Sequence, residues 1–556
     1  MEYFGRAKTA TEQTKIANAR EEIELEMISE KLRANSENNE FSYENVWNEL
    51  KKKDKDSEAE KIDTPSGYNV FYKGYNFFVD DKEVTHIDKQ IDITTSKLTP
   101  LGPITTADGI TYAESYEIWN KGQLETFRNR VNDGEAFENC MFMQKANINL
   151  DNEDWEPIGH GTADTDRDKY FSGRYDGENH TISGININND KMYQALFGDV
   201  WTDSTEKEVI IENLTVEGTV TGGHIVAGLV GRAGNTKIIN CKNKVNVTST
   251  LLDNIFKQQV SSTGGILGRS TQGEDVEIIN CENYGSINGT AAGVIGGIVG
   301  LFQQGKITEC KNYADIETNL GKVGGIVGFI TKGTVEKCYN TKIITGWFYV
   351  GGICGLVGDG TDGILKTVDI KQCNNTGDIT GESYVGGISG WNRKNSTIEL
   401  CSNIGNILAN GHEGYWSSVG GIIGYSGGNT KISDCYNVGN IEANYRGIGG
   451  IAGGLTGTTD GNSYIKNCYN IGNITNNSLD YNGRTGGIWG LLETTTTMDE
   501  VTNCWQLQNC IKQGTDTDQT GVENKTDDEI KALDWENYTV VAGKNNGYPI
   551  LNWEDN

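Results

Sequence analysis

A short glycine motif, Gly-(Leu or Ile)-x-Gly preceded by a small residue, marks nine repeats in the chain. Its copies lie at positions 227–231, 264–268, 296–300, 324–328, 351–355, 386–390, 420–424, 449–453 and 486–490. One cysteine follows each copy, and successive cysteines are 28 to 40 residues apart. A period near 30 residues with variable insertions is typical of a solenoid, in which each repeat packs on its neighbours.

The cysteine of each repeat defines a second signature, Cys-x-Asn. The cysteines are Cys241, Cys281, Cys310, Cys338, Cys373, Cys401, Cys435, Cys468 and Cys504. The asparagines are Asn243, Asn283, Asn312, Asn340, Asn375, Asn403, Asn437 and Asn470, with Gln506 in the last repeat. Because stacked coils place equivalent residues above one another, we expect two ladders along the solenoid.

Cysteine is small and usually buried, so we interpret its ladder as a column of reduced thiols rather than a metal or redox site. No Cys-x-x-Cys occurs, and Cys504 with Cys510 is the one candidate pair for a disulfide. We expect each asparagine to adopt the left-handed conformation at a bend and to hydrogen-bond to the copies above and below. Replacing Asn340 or Asn437 with alanine should therefore destabilise the protein more than the same replacement of the loop residue Asn429.

Composition supports a sheet architecture. The 556 residues include 72 glycines and only five prolines, and residues 158–548 contain no proline. Because proline lacks an N–H, its absence favours strands that are hydrogen-bonded on both sides. The net charge of −29 disfavours nucleic acid and anionic lipid as partners. No run of 18 apolar residues indicates a membrane span.

These patterns predict a mainly β protein whose central part is a right-handed parallel β-helix. The shortest repeat, 28 residues, has room for three short strands and three bends per coil. Residues 146–159 and 171–185 are interpreted as opening coils, and an amphipathic helix over 123–131 would cover the first of them. At the other end, Trp535 and the aromatic-rich segment 545–553 are expected to close the last coil.

The N-terminal region differs from the solenoid. Ile16, Ala19, Ile23 and Met27 share one helical face, which predicts a solvated amphipathic helix of marginal stability. The charged segment 51–61 is typical of a linker, and 68–94 predicts a small β-hairpin unit. We therefore divide the chain into a helix, a linker with a small β unit, an N-terminal cap with the first coils, the solenoid and a C-terminal cap, at 1–35, 36–103, 104–198, 199–505 and 506–556.

The repeats resemble the GLUG motif of bacterial surface proteins, which also occurs near the IgA-peptidase group. FSGRYDGENHTISGI at 171–185, ALFG at 195–198 and the final GYPILNW match the same pattern, so the resemblance covers roughly residues 104–553. It implies a parallel β-helix at the cell surface without implying one activity. The chain has no His-Glu-x-x-His, the motif of metallopeptidases among those relatives.

The opening segment FGRAKTATEQTKIANAREEIELEMI resembles the part of type IV pilin-like proteins of Gram-positive bacteria that follows the hydrophobic helix. This resemblance covers about 30 residues. The apolar segment that would anchor or polymerise such a protein is missing from this sequence. The resemblance implies an extracellular protein presented on the cell surface, and restoring the apolar segment should send it to the membrane or into pilin-like filaments.

Candidate metal and catalytic residues are few. Asp164, Asp166 and Asp168 alternate as calcium ligands do, but Lys169 replaces the turn glycine and Tyr175 stands where a bidentate glutamate is needed. The alternative is a solvated acidic loop. The histidines are scattered and favour structural roles: His86, His160, His180, His224 and His412. We predict no catalytic residue, metal or cofactor.

Aromatic residues near the glycine corners and in the insertions provide the remaining functional signal. They are Trp347, Phe348, Tyr349, Tyr384, Trp391, Tyr415, Trp416, Tyr425 and Tyr445. Such side chains stack on sugar rings, although packing of loops on the coil explains them equally well. Two functions stay open: a non-enzymatic surface adhesin or display rod that binds glycan or protein, and a polysaccharide-acting β-helix lyase or hydrolase, for which fold analogy is the only support.

Overall fold

A computed structural model describes most of the chain as two compact units. The described residues are 10–37, 41–55, 58–63, 66–73, 75–79, 84–87, 95–160, 168–204, 208–250, 261–289, 293–319, 321–358, 367–393, 395–411, 417–444, 446–456, 463–477, 484–492, 500–513, 515–516 and 519–555. Unit 1 comprises Met1–Phe127 and Phe142–Asn149, and unit 2 comprises Arg128–Met141 and Leu150–Asn556. No helix among these described residues is long and apolar enough to cross a membrane.

Unit 1 begins with two helices and a small sheet. Helix α1 spans Ala10–Glu37 and helix α2 spans Tyr43–Lys53. Four antiparallel strands follow, β1 Glu58–Asp63, β2 Ser66–Tyr72, β3 Tyr75–Val79 and β4 Val84–Ile87. The prediction of a linker at 51–61 is therefore wrong, because 51–61 contains the end of α2 and most of β1. The small β-hairpin unit predicted at 68–94 is present, since β2 and β3 pair antiparallel and β4 adds a further antiparallel strand.

Helix α1 is not a solvated helix as predicted. Ala19 and Ile23 are fully buried, and Met27 is nearly so, in one core with α2 and the four-stranded sheet. Large residues of that sheet, such as Phe77, cover this face and supply the stability that an isolated helix lacks. Residues from the two segments predicted to be separate, 1–35 and 36–103, thus share one core.

Further elements precede the solenoid. They are the antiparallel pair Ile104–Thr105 and Thr111–Tyr112, the strand Glu114–Ile118, helix α3 at Lys121–Asn132, and the strands Cys140–Gln144 and Ile148–Asn149. The predicted amphipathic helix is present as α3, and Leu124, Phe127 and Val131 on its apolar face are fully buried. That α3 covers the first coil stays a prediction.

Unit 2 is a parallel β-helix, as predicted. Equivalent strands of successive coils pair in parallel, for example Lys306 with Thr334 and Ile316 with Ile344. Each coil contributes strands to four sheets rather than forming the three strands predicted, because the segment after the cysteine forms strands of its own in sheet 4. We number the sheets 1 to 4 in chain order from the glycine motif.

Sheets 1 and 2 flank the glycine motif, and each has ten strands. Sheet 1 consists of Ile225–Ala227, Ser262–Gly264, Val294–Gly296, Lys322–Gly324, Phe348–Gly351, Ser383–Gly386, Ser418–Gly420, Gly447–Gly449, Arg484–Gly486 and Thr515–Asp516. Sheet 2 consists of Phe197–Trp201, Val230–Gly234, Leu267–Ser270, Val299–Phe302, Val327–Ile330, Cys354–Val357, Ser389–Asn392, Ile423–Ser426, Ala452–Leu455 and Trp489–Leu492.

Sheets 3 and 4 flank the cysteine. Sheet 3 in unit 2 consists of Arg174–Asp176, Val209–Glu212, Thr236–Ile239, Val276–Ile279, Gly305–Thr308, Gly333–Glu336, Val368–Lys371, Ser396–Glu399, Thr430–Ser433, Tyr464–Lys466 and Glu500–Thr502. Sheet 4 consists of Thr181–Asn188, Thr215–Gly222, Lys242–Ser249, Glu282–Asn283, Ile287–Gly289, Lys311–Asn312, Ile316–Thr318, Tyr339–Asn340, Ile344–Thr345, Asn374–Asn375, Ile379–Gly381, Ser402–Asn403, Ile407–Ala409, Tyr436–Asn437, Ile441–Ala443, Tyr469–Asn470, Ile474–Asn476, Cys504–Leu507, Ile511–Gln513 and Val522–Lys525.

The interior is filled by columns of identical or similar apolar residues. In most coils, an isoleucine of the second sheet 4 strand packs in one buried cluster with a β-branched residue of the sheet 1 strand that follows. Ile344 and Val350 are an example. Alternating residues of the same strands point outward and are exposed, for example Glu317 between Ile316 and Thr318. This period of two matches a strand with one buried face.

The C-terminal segment does not close the last coil as predicted. After helix α4 at Asp527–Lys531, the antiparallel pair Tyr538–Thr539 and Ile550–Leu551 and the 3₁₀ turns Asn545–Gly547 and Asn552–Asp555 pack on the outer side of sheet 4. Glu554 accepts hydrogen bonds from Asn374 at 2.9 Å and from the Tyr436 hydroxyl at 2.8 Å. The reason is chemical: tyrosines at the position after the cysteine give this side of sheet 4 an apolar surface to cover.

Candidate functional site

The cysteines of the nine repeats lie in one buried column. Each thiol contacts those of the adjacent coils, as Cys281 does with Cys241 and Cys310. Cys310 Sγ also lies 3.3 Å from its own Thr308 carbonyl oxygen and 3.6 Å from Ile278 O in the preceding coil. Burial raises the pKa of the Cys281, Cys338, Cys373 and Cys435 thiols, which disfavours the reactive thiolate. The candidate disulfide between Cys504 and Cys510 is absent, since both are free.

Thiol titration tests this column. In the folded protein we expect a thiol reagent to react rapidly with Cys140 alone, because the other eleven of the 12 cysteines are buried. After unfolding in denaturant under inert gas, all 12 should react. A titration of the unfolded protein in which most thiols are missing would contradict the column of reduced cysteines.

The asparagines form a second buried column, with a conformation different from the one expected. From Asn243 to Asn437, each Nδ2 donates to the Oδ1 of the asparagine in the next coil at 2.7–2.8 Å, and the series ends at Asn470. These asparagines lie in strands, so the expected left-handed conformation is wrong for them. It occurs instead at the residue before each cysteine, such as Lys337 with φ 52° and Leu400 with φ 56°.

Six of the nine aromatic residues singled out in the sequence come together on the outside of sheets 1 and 2. We call this group the aromatic platform; it consists of Trp347, Phe348, Tyr349, Tyr384, Trp391 and Tyr425. The other three, Tyr415, Trp416 and Tyr445, lie outside the described residues. The platform spans three successive coils. Trp391 and Tyr425 occupy the same register in adjacent strands, and Leu356 occupies it in the coil that contributes Tyr349.

Ring geometry makes the platform continuous. The rings of Tyr349 and Tyr384 stack with centroids 5.5 Å apart, and Tyr384 stacks on Trp391 at 5.6 Å. Tyr425 meets Tyr384 edge-on at 5.3 Å. Trp347 extends the group at one side and is 37% exposed, which makes it the most accessible ring. Tyr349 and Tyr384 lie in adjacent coils, whereas Tyr384 and Trp391 belong to one coil.

The backbone at the platform has an uncommon conformation. Tyr349 and Tyr384 have φ of 51° and 52°, the left-handed region that bulky residues rarely adopt. Tyr349 is left out of the pairing register that Phe348 and Val350 keep with the preceding coil, which marks a bulge. Residues held in such conformations concentrate at functional sites.

Arg393 adds charge to the platform, and sequence reasoning missed it. Its guanidinium lies 5.3 Å from the Trp391 ring centroid, a cation–π distance. The signal that leads to Trp391 and Tyr425 is positional: both directly follow the last glycine of their motif copies. Arg393 lies two residues further on, outside the repeated signature, and only the folded coil shows it beside the ring.

The remaining sequence-predicted sites are not assembled in the described part of the chain. Asp164 and Asp166 lie outside the described residues, and Tyr175 is fully buried against Phe197. His160 pairs with Glu156 at 3.1 Å, His180 and His224 are buried, and His412 is outside the described residues. No cluster of three metal-ligating side chains occurs among the residues described.

Comparisons with known proteins find partial similarity. No family model matches the chain. Halomucin of Haloquadratum walsbyi is 29% identical over 181 residues, which are 31% of this chain and 2% of that protein. A solved structure from Bacteroides ovatus, named a putative immunoglobulin A1 protease, covers 81% of this chain and 94% of its own at 18% identity and a TM-score of 0.27. A second structure, named IgA1 protease, covers 81% of this chain and 25% of its own at 14% identity and a TM-score of 0.24.

Proposed function

We propose that this chain is a non-enzymatic, extracellular β-helix protein that binds glycan through the aromatic platform. The single observation that carries the proposal is the cluster of six contacting rings across three coils, with Trp347 exposed at its side. Sugar rings present C–H faces that pack on aromatic rings, and an extended row of rings suits a chain of sugars better than one small ligand.

Surface location is part of the same proposal. The GLUG-type repeats, the acidic composition and the partial similarity to halomucin support it. A parallel β-helix whose edges are paired coil by coil gives a rigid scaffold that holds the platform in place. Presentation through the pilin-like N-terminal segment remains our hypothesis for how the protein reaches its ligand.

Glycan binding is tested with an immobilised glycan array and an assay for released reducing ends. We expect saturable binding to particular glycans with no release of sugar ends. Replacing Trp347 with alanine should weaken binding about fivefold, because one aromatic stacking contact contributes about 1 kcal/mol. Trp347 is exposed, so the variant should fold normally.

Tyr284→Ala is the matched control, since Tyr284 is 44% exposed on sheet 4 and stacks only on Tyr313 among the ring contacts described. Its binding should equal that of the wild type. Equal losses at Trp347 and Tyr284 would contradict a binding role for the platform. Release of reducing ends from bound glycan would identify the protein as a polysaccharide-acting enzyme instead.

A further inference from the structure

A cavity of about 540 Å³ lies beside the first coils of unit 2, away from the residues of the aromatic platform. Its lining joins two chain segments, 154–160 and 189–194. Apolar side chains contribute Trp155, Pro157 and Met192, and carboxylates contribute Asp154, Glu156 and Asp190. A volume of this size, with apolar walls and a few polar groups, is typical of a ligand site.

The apolar wall is held in place before any ligand arrives. Trp155 is 5% exposed, and its backbone N–H donates to Asn186 O at 2.8 Å. The indole Nε1 lies 3.5 Å from Leu196 O, and the Arg128 guanidinium lies 4.5 Å from the ring centroid. A ring fixed from several sides costs little entropy when a ligand packs against its remaining surface.

The polar part of the lining is predominantly negative. The residues that line the cavity include three carboxylates but only one lysine or arginine, Lys191. Glu156 Oε1 lies 3.1 Å from His160 Nε2, and Asp154 accepts from Asn186 at 3.1 Å. Each carboxylate has about four lone-pair sites, so these contacts leave acceptor capacity for a ligand.

Gln194 provides an independent indication of a hydrogen-bond donor in the ligand. It is 1% exposed and lines the cavity. Its Nε2 donates to Met192 O at 2.5 Å, whereas its Oε1 is buried with no partner among the described residues. A buried acceptor without a donor is costly, and a donor on the ligand removes that cost.

We propose that this cavity binds a basic side chain, lysine or arginine, of a partner protein. The aliphatic stem would pack on Met192 and on the small exposed part of Trp155, and the cationic head would donate to Glu156 and Asp190. The net charge of −29 attracts basic partners and raises their local concentration. This binding goes beyond glycan recognition and needs none of the platform residues.

Saturation-transfer NMR tests the proposal on the full chain. The probes are the N-acetyl methylamides of lysine, arginine and norleucine, with n-butylamine as a free amine. We expect saturable binding of the two basic amino-acid probes and at least tenfold weaker binding of norleucine, since hydrogen bonds to a charged group contribute about 1.5–3 kcal/mol. The acetylated probes should bind at least as well as n-butylamine.

Variants separate this site from the platform. Glu156→Gln with Asp190→Asn should weaken lysine binding about tenfold, because two charge-assisted contacts become neutral ones. Both residues are exposed, so the change should leave the fold intact. Glu317→Gln, which alters an exposed carboxylate on sheet 4, and Trp347→Ala should leave lysine binding unchanged.

Three results would overturn the binding of a basic side chain at this cavity. They are norleucine binding equal to lysine, absence of saturable binding by either basic probe, and equal losses in the Glu317→Gln control and the double variant. Tighter binding of n-butylamine than of the acetylated probes would assign the cavity to free amines and contradict a protein partner. Loss of glycan binding with lysine binding intact would leave this inference standing while the proposed function fails.

Discussion

Replacing Asn340 with alanine is expected to lower the free energy of unfolding of unit 2 by about 3–5 kcal/mol. The side chain is fully buried and takes part in three hydrogen bonds. Its Nδ2 donates to Asn375 Oδ1 at 2.7 Å and to Lys342 O at 2.8 Å, and its Oδ1 accepts from Asn312 Nδ2 at 2.8 Å. Alanine leaves acceptors in two coils without donors, and each buried unsatisfied group costs about 1–3 kcal/mol.

Chemical denaturation followed by circular dichroism measures this change. The control is Asn288→Ala, because Asn288 is exposed within the strand Ile287–Gly289 and should give a change below about 0.5 kcal/mol. Asn429, which the sequence places in an ordinary loop, is unsuitable as a control. Its φ is 56° and its Nδ2 donates to Asn395 Oδ1 at 2.6 Å. A loss at Asn340 no larger than that at Asn288 would contradict the stabilising role of the column.

Replacing Gly325 with alanine is expected to cost at least about 3 kcal/mol, a large value for one methyl group. A Cβ atom built on Gly325 would overlap the carbonyl oxygen of Gly352 in the next coil. It would also lie 2.6 Å from Asn340 Cγ. Neither neighbour can yield cheaply, because one belongs to a paired backbone and the other to the asparagine column.

The same denaturation experiment on Gly273→Asn provides the comparison. Gly273 has φ +82°, a conformation that asparagine tolerates, and no atom lies within 4 Å of a Cβ placed there. We expect a change below about 1 kcal/mol for this variant. Equal stability of the Gly325→Ala and Gly273→Asn variants would contradict the explanation that the glycine pair is needed for close packing of adjacent coils.

These two predictions share one structural reason that periodicity alone did not show. The second glycine of each pair lies against the asparagine of its own coil, as Gly325 does with Asn340 and Gly421 with Asn437. In the last repeat, Gly487 meets Gln506 instead. The two signatures are about 15 to 23 residues apart in these repeats, so their contact is created only when the coil closes.

The repeated architecture can be predicted from the amino-acid sequence. Regular spacing of the glycine motif and of Cys-x-Asn predicts stacked coils, because any column that repeats in sequence must repeat in space once strands pair in parallel. The buried cysteine column and the asparagine column follow from that rule. The aromatic residues beside the glycine corners were recognisable for the same reason, since Trp391 and Tyr425 share one position in successive repeats.

Features that depend on contacts between dissimilar segments are visible only in the folded chain. Tertiary structure placed the left-handed conformation at the residue before each cysteine, laid the C-terminal segment on sheet 4, and joined 154–160 with 189–194 around a cavity. It also buried Ile23 of α1 against the four-stranded sheet of unit 1. Such contacts occur once rather than in every coil, so they leave no periodic pattern in the sequence. Which segments meet is determined by the packing of their apolar surfaces.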